Sequence, residues 1–262
     1  MKINLYFLII IIKLKEIFKQ KNCISIKNNL KKMEISYLLS IIMPAYNEEK
    51  TLEEIIRKVY ATDIRKEIIV VNDGSEDKTA LILEEIKNKY DLKIINLDKN
   101  YGKGFAIRKG IEQSSGDIIL IQDADLETDP SEYQKLLAPI IDGKSKVVFG
   151  SRFMGSIKNM NKFNYIGNKF LTLVANILFR TNITDEATVY KVFLKEILEN
   201  IQLKSNRFEI CSELVAKIGK RKYKIIEVPI TFVGRSKDEG KKLRLLDGFA
   251  SLWTLIKYRL TE

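Results

Sequence analysis

Asp123 and Asp125 stand one residue apart at the end of the apolar run 118–121. Because second neighbours in an extended chain point to the same side, both carboxylates can face one cleft at the end of a buried strand. Two like charges there need a positive partner. Hard divalent cations are commonly held by one or two carboxylates and substrate phosphates. The pair predicts an Mg²⁺ or Mn²⁺ site that binds a diphosphate. The alternative is a solvated turn rich in aspartate.

The composition removes several kinds of chemistry. Histidine is absent from the 262 residues, which excludes Ser-His-Asp and Cys-His catalysis, imidazole metal ligands and imidazole general bases. Cys23 and Cys211 have no metal-binding or redox spacing, which favours a reducing, cytoplasmic setting. The length and the hydrophobic content of 45% suit one α/β domain, or a domain with an appendage. Carboxylates, lysines, arginines and metals must therefore carry any reaction.

The net charge of +11 is concentrated near the two ends of the chain. Residues 1–34 hold eight lysines and two acidic residues, and residues 217–244 hold ten basic and three acidic residues. Basic segments with apolar neighbours fit an anionic membrane surface at least as well as DNA, and no helix-turn-helix, zinc-finger or RNP-like pattern is found. We expect no nucleic-acid partner.

The first 34 residues form a basic and apolar extension. The apolar run 5–12 is too short to span a membrane before Lys13 and Lys15 close it. One interpretation is an interfacial anchor, with apolar residues on one side and lysines on the other. The other is that Met33 is the true start, since the regular pattern begins immediately after it.

From Tyr37 onward, strand and helix patterns alternate. Strands are predicted at 38–43, 68–71, 94–97, 118–123 and 146–149, with amphipathic helices between them, one of them at about 104–114. This alternation predicts a mainly parallel, Rossmann-like sheet with helices on both faces. Ligands of such sheets bind at the carboxyl ends of the strands. Three polar segments fall there, at 44–49, 72–77 and 100–104, although helix capping alone would explain the first two.

These segments, in this order, resemble the family 2 glycosyltransferases with a GT-A fold, over residues 37–258. The matching motifs are 40–49, 71–75, 100–104 and 123–125. Three later motifs, at 149–153, 185–193 and 227–235, look like the polyprenyl-phosphate branch, the dolichyl-phosphate mannose and glucose synthases. The resemblance implies a nucleotide-sugar donor, a lipid-phosphate acceptor and an inverting transfer.

The resemblance also implies roles for individual residues. Four would contact the donor nucleoside: Pro44, Tyr46, Glu48 and Asp73. Lys103 would bind the diphosphate, and Asp123 with Asp125 would hold the metal. Glu127 stands where some relatives have glutamine, so its place in the metal shell is left open.

The proposed chemistry agrees with the absence of histidine. A phosphate acceptor is already an anion near pH 7 and needs no general base, whereas a sugar hydroxyl would require a carboxylate base. Cations must position the phosphate, and the candidates are Arg152, Lys191, Arg207 and Arg235. A surface charge or an ion pair is the alternative role of each.

The C-terminal segment, residues 236–262, is predicted to contain an amphipathic helix lying in a membrane interface, with Trp253 and Tyr258 near headgroup depth. Packing on the sheet or a dimer contact is the alternative. The catalytic domain is then residues 35–235, and the protein is expected to be cytoplasmic and peripherally membrane-associated.

Three functions remain after these arguments. The first is metal-dependent transfer of a hexose from UDP-glucose or GDP-mannose to a polyprenyl phosphate. The second is a family 2 transferase that acts on a glycan or protein hydroxyl. The third is a nucleotide-sugar binding or membrane-scaffold protein without turnover, and the intact acid pair argues against it.

Overall fold

Seven strands pair into one sheet in the computed structural model, which describes residues 37–235, 242 and 245–261. In chain order they are β1 (Leu39–Ala45), β2 (Lys66–Asn72), β3 (Leu92–Asn96), β4 (Ile118–Ile121), β5 (Val147–Lys158), β6 (Lys191–Leu194) and β7 (Ile225–Val233). Across the sheet the order is β3-β2-β1-β4-β6-β5-β7. Only β6 among these strands runs antiparallel to its neighbours, β4 and β5. The predicted mainly parallel α/β sheet is confirmed.

The described helices lie between these strands in the chain, except the last helix, which follows β7. They are α1 (Leu52–Tyr60), α2 (Thr79–Ile86), α3 (Lys103–Glu112), α4 (Tyr133–Ile141), α5 (Lys162–Phe179), α6 (Lys195–Glu199), α7 (Ile210–Lys220) and α8 (Leu245–Thr261). The first four and α8 lie where the sequence pattern predicts helices. The 18-residue helix α5 was not predicted, and neither were α6 and α7. Among the described helices, none combines the length and the hydrophobicity that a membrane span requires.

Helices cover both faces of the sheet. Ile41 and Met43 of β1 pack into the core formed with α1, α2 and α4, whereas Ile42 packs into the core formed with α3, α5, α7 and α8. Alternate residues of a strand point to opposite faces, so β1 is apolar on both sides because both sides are covered. This two-sided core fixes the carboxyl ends of β1, β2 and β4 beside one another.

The last strand brings a distant segment to that edge of the sheet. β7 pairs in parallel with β5, and an isolated bridge joins Phe232 to Thr128, in the loop that follows β4. The backbone N–H of Val233 then donates to the carbonyl of Glu127 at 2.9 Å. Arg235 therefore enters the site from the opposite end of the chain. The predicted extension at residues 1–34 and most of segment 236–244 lie outside the described residues.

Candidate active site

A cavity of about 1100 Å³ lies at the carboxyl ends of the central strands. Of the residues predicted to have a role, those in its wall are Pro44, Tyr46, Glu48, Asp73, Lys103, Asp123, Asp125, Arg152, Arg207 and Arg235. Lys191 is not among the lining residues. The fold thus gathers these residues from seven parts of the sequence around one space.

Each aspartate of the acid pair has a cationic partner. Lys103 Nζ lies 2.7 Å from Asp123 Oδ2, and Arg235 Nη2 lies 3.1 Å from Asp125 Oδ2. Burial raises the pKa of Asp125 to about 7, with Asp123 and Glu127 acting in the same direction and Arg235 opposing them. The carboxylates are compensated but remain in the cavity wall, where they are available to other ligands.

The acid pair suits a hard cation held jointly with a substrate. No group of three Asp, Glu, Cys or His side chains in the described part of the chain is arranged to hold a metal by itself. Asp123 and Asp125 present carboxylate oxygens at one strand end, and Mg²⁺ commonly takes one or two carboxylates and completes its shell with water and substrate phosphates. The residues present therefore fit a metal that binds together with a diphosphate.

Arg235 links two acidic residues from different strand ends. Its guanidinium also donates to both carboxylate oxygens of Glu48, at 2.9 and 3.2 Å, and its backbone N–H donates to Glu127 Oε1 at 2.8 Å. Lys242 donates to the same Glu48 carboxylate. Arg235 was predicted to contact the acceptor phosphate, and the structure brings it to the acidic side of the cavity, beside Asp125.

Asp73 shapes the loop that precedes α3. Its two carboxylate oxygens accept hydrogen bonds from the backbone N–H groups of Tyr101 and Gly102, each at 2.8 Å. Gly102 has a φ of 102°, and a Cβ there would lie 2.5 Å from the carbonyl oxygen of Asn206. Lys103 follows as the first residue of α3. The loop thus presents a lysine and a helix N-terminus to the cavity, an arrangement that favours phosphate.

Arg152 is held rigidly in the cavity wall. Its Nε and Nη2 donate to the two oxygens of Asp185, both at 2.7 Å, and its backbone N–H donates to Asp185 at 2.9 Å. Glu227 fixes this partner in turn, because its carboxylate accepts from the backbone N–H groups of Thr184 at 2.7 Å and Asp185 at 3.1 Å. No described residue bonds Nη1 of Arg152, which leaves one donor edge for a ligand.

The other two predicted acceptor-phosphate contacts differ from each other. Arg207 is exposed and lines the cavity. Lys191 is 1% exposed, and its ammonium donates to the carbonyl of Glu186 at 2.9 Å and to that of Thr188. Lys191 therefore supports the loop at 185–190 from inside the core, and its position offers no contact with a ligand in the cavity.

Gln122 was not predicted to have a role, although it directly precedes the acid pair. Its Oε1 accepts from the hydroxyl groups of Tyr133 at 2.7 Å and Tyr190 at 2.8 Å. Its Nε2 donates to the carbonyl of Asp123 at 2.8 Å and to Thr128 Oγ1 at 3.2 Å. All four hydrogen-bonding positions of the amide are used, so Gln122 anchors the backbone beneath the acid pair. The sequence did contain a signal for this role, because Gln122 is a polar residue directly after a fully apolar strand.

Helices α5 and α8 contact each other, and residues of both line the cavity. Each helix carries a row of five exposed apolar side chains at the same spacing: Phe163, Ile166, Phe170, Leu173 and Ile177 on α5, and Leu246, Phe249, Trp253, Ile256 and Leu260 on α8. The prediction that Tyr258 faces the membrane is wrong. Tyr258 is 3% exposed, and its hydroxyl donates to Glu213 at 2.7 Å because this face of α8 packs on α7.

Comparison with known proteins identifies the family. The model of the family described as "Glycosyl transferase family 2" matches residues 40–202. The chain belongs to this family, and the prediction that it is a family 2 glycosyltransferase is confirmed.

Two curated relatives are similar over most of this chain. A protein named dolichol-phosphate mannosyltransferase from Pyrococcus furiosus is 32% identical over 209 residues, which cover 78% of this chain and 58% of that relative. A UDP-N-acetylglucosamine–dolichyl-phosphate N-acetylglucosaminyltransferase from Methanococcus voltae is 29% identical, covering 85% of this chain and 96% of that protein. This chain thus spans little more than half the length of the Pyrococcus relative.

The fold is also found among solved structures. Glucosyl-3-phosphoglycerate synthase from Mycobacterium tuberculosis, crystallised with Mn²⁺, UDP and phosphoglyceric acid, has a TM-score of 0.70 at 18% identity and covers 90% of this chain and 83% of its own. At this identity the likeness concerns the fold, and the predicted GT-A fold class is confirmed.

Proposed function

We propose that this chain transfers a hexose from a nucleotide sugar to a polyprenyl phosphate, with inversion at the sugar, and that Mg²⁺ or Mn²⁺ supports the reaction. The observation that carries the proposal is the composition of one cavity wall. It holds an acid pair suited to a metal-bound diphosphate and, elsewhere in the same wall, the arginines Arg152 and Arg207. The names of the Pyrococcus and Methanococcus relatives support the same class of acceptor.

The donor half of the cavity is built from the ends of β1, β2 and β4. Pro44 and Tyr46 would contact the nucleoside, and Lys103 with the N-terminus of α3 would bind the diphosphate. Asp123 and Asp125 would hold the metal, which when bound neutralises negative charge on the departing nucleotide. Lys103 already lies against Asp123, so the same ammonium is placed to exchange a carboxylate oxygen for a phosphate oxygen.

The acceptor half depends on arginine. A phosphate monoester is ionised near neutral pH, so the attacking oxygen needs positioning and no proton removal. Arg152 offers Nη1 from a guanidinium that Asp185 holds fixed, and exposed Arg207 offers a second cation. A rigid guanidinium suits phosphate oxygens better than a flexible ammonium does.

We further propose that α5 and α8 rest on the membrane that contains the lipid acceptor, as a peripheral contact. Phe163 and Leu245, which are 86% and 81% exposed, lie both in the cavity wall and at the start of the two apolar helix faces. The charged side chains exposed on these two helices are Lys162, Lys169, Lys257 and Arg259, and all four are basic. Such helices bind anionic membrane surfaces through apolar burial and charge attraction.

The reaction is tested with the purified full-length chain, radiolabelled nucleotide sugars, Mn²⁺ and either dolichyl or undecaprenyl phosphate in detergent. We expect a labelled glycolipid from one donor, and a loss of about 100-fold or more in Asp125→Asn. Asp63→Asn removes an exposed aspartate outside the cavity and should keep the wild-type rate. Full activity of Asp125→Asn would contradict the metal assignment.

The alternative acceptor is a glycan or protein hydroxyl, which would need a carboxylate to take up its proton. The same assay with soluble sugars and glycopeptides in place of the lipid separates the two. Transfer to a hydroxyl with the polyprenyl phosphates inert would replace the proposed acceptor class by the alternative one.

A further inference from the structure

Glu186 is a buried carboxylate in the cavity wall for which the proposed reaction has no role. It is 1% exposed and lines the cavity. Its Oε1 accepts a hydrogen bond from Ser212 Oγ at 2.6 Å. Within the described ranges no second donor reaches this carboxylate, so one oxygen remains for a ligand.

The position of Glu186 is fixed on both sides. Its backbone N–H donates to Thr172 Oγ1 at 3.0 Å, and its carbonyl accepts from the buried ammonium of Lys191 at 2.9 Å. Thr172 belongs to α5 and Ser212 to α7, so two helices and a strand hold the residue in place. A carboxylate held this way can discriminate between ligands that differ in the direction of one group.

The chemistry of this wall favours a hydroxyl group as the partner. A buried carboxylate with an unused oxygen needs a hydrogen-bond donor, because its desolvation is otherwise uncompensated. Burial raises the pKa of Glu186, and the nearby cations of Lys191 and Arg152 oppose that shift. A phosphate would be repelled by the ionised carboxylate, whereas a sugar hydroxyl can donate to it in either protonation state.

We propose that Glu186 accepts a hydrogen bond from a hydroxyl group of the hexose being transferred and so takes part in selecting the sugar. The inference rests on the proposed function and adds the part of the donor that Glu186 recognises. A site that hydrogen-bonds a particular hydroxyl rejects analogues in which that hydroxyl is missing or misdirected. Glu186 is then a sugar-binding residue, separate from the residues that hold the nucleotide and the acceptor.

The test measures binding and needs no acceptor. Isothermal titration with Mn²⁺ compares UDP-glucose, UDP-galactose, UDP-N-acetylglucosamine and GDP-mannose with UDP and GDP, which lack the sugar. For the donor that the wild type prefers, we expect Glu186→Ala to weaken binding about tenfold or more. The affinity for the matching nucleoside diphosphate should change by less than about twofold. Glu186→Gln keeps the shape of the side chain and one neutral hydrogen-bond acceptor, so its affinity for the preferred nucleotide sugar should fall by a smaller factor.

A second glutamate, Glu67, which lies outside the cavity, provides the control. Glu67 also accepts hydrogen bonds from serine hydroxyl groups, those of Ser40 and Ser115, and does not line the cavity. Glu67→Gln should leave both affinities at wild-type values. If Glu186→Ala does not fold, as judged by circular dichroism, the isosteric Glu186→Gln decides the question by the same comparison.

Three results would overturn the proposal. The first is wild-type affinity of the Glu186 variants for the preferred nucleotide sugar. The second is an equal loss of sugar-nucleotide and nucleoside-diphosphate binding, which would make the role structural. The third adds the transfer assay described above to the binding test: intact donor binding with transfer abolished would make Glu186 a base for a hydroxyl acceptor. Failure of the proposed function looks different, because the wild type itself then binds none of the nucleotide sugars, and the inference fails with it.

Discussion

Gln122 Oε1 accepts a hydrogen bond of 2.7 Å from the hydroxyl of Tyr133, and both side chains are fully buried. Gln122→Leu removes the partner of two buried tyrosine hydroxyl groups and of the Asp123 carbonyl. Because unsatisfied buried polar groups cost about 1–3 kcal/mol each, we expect urea unfolding to show a loss of about 2–4 kcal/mol.

Tyr133→Phe is the control for this prediction, since it removes one hydroxyl without stranding another donor. It should cost about 1 kcal/mol. Equal stability losses in the two variants would contradict the view that Gln122 anchors the strand end.

Gly102→Ala tests the loop that Asp73 holds. The new methyl group would meet the carbonyl oxygen of Asn206 at 2.5 Å, at a backbone φ of 102° that alanine rarely adopts. We expect a loss of stability of about 1–3 kcal/mol in thermal unfolding and weaker UDP binding. Gly143 also has a positive φ, 66°, but open space beside it. Gly143→Ala should therefore lower the stability by less than Gly102→Ala does and leave UDP binding unchanged.

Arg152→Lys tests the acceptor contact. Lysine keeps the charge but loses the bidentate bond to Asp185, so the cation is no longer fixed. Steady-state kinetics should show a KM for polyprenyl phosphate raised about tenfold, with the KM for the donor unchanged. Arg65→Lys, an exposed arginine outside the cavity, serves as the control. A raised donor KM with an unchanged acceptor KM would place Arg152 on the donor side.

Glu227→Gln is expected to have a pH-dependent effect on stability. Burial raises the pKa of Glu227 above its ordinary value of 4.5. The folded state then retains this proton to higher pH than the unfolded state does. The stability that protonated Glu227 contributes is therefore fully present below the pKa of the unfolded state, and it is lost as pH rises through the pKa of the folded state. Glutamine does not titrate. Chemical denaturation from about pH 4 to about pH 8 should show a cost of substitution that decreases with pH, and a cost that increases would reverse the assigned shift.

Paired substitutions on the two apolar helix faces test the membrane contact. Phe163→Ser with Ile166→Ser on α5, or Phe249→Ser with Trp253→Ser on α8, should lower co-sedimentation with phosphatidylglycerol vesicles about tenfold or more. Leu81→Ser removes an exposed leucine of α2, which is 65% exposed, and should have no effect.

Analytical ultracentrifugation of the same variants decides the competing explanation. Unchanged vesicle binding, together with loss of a dimer present in the wild type, would make these faces a contact between copies of the chain.

The amino-terminal half of the sheet was predictable because its signals are local. The strands at β1 and β2 are short apolar runs, and polar residues mark their ends. Helix α5 has no comparable signal, because it carries apolar residues on two faces. Leu171, Ala175 and Phe179 are buried, while Phe163 and Ile177 are exposed, and no single periodic stripe emerges.

The sequence predicted which residues line the candidate site more accurately than it predicted which of them contact each other. Asp123 and Asp125 belong to one short motif, so their placement follows from the strand before them. Arg235 meets Asp125 across 110 positions of sequence, which no local pattern encodes. For Lys191 the local motif was misleading. The motif predicted a contact with the acceptor phosphate, but Lys191 is the first residue of β6 and its side chain points into the core.

The contact of Arg235 with Glu48 spans 187 positions of the chain, from just after the first strand to just after the last. During synthesis, Glu48, Asp123 and Asp125 emerge from the ribosome long before the guanidinium that compensates two of them. A nascent chain that ends before β7 therefore carries these acids without Arg235. Docking of the last strand completes the sheet and brings Arg235 to the acids, so their compensating guanidinium arrives only with the strand that closes the sheet order.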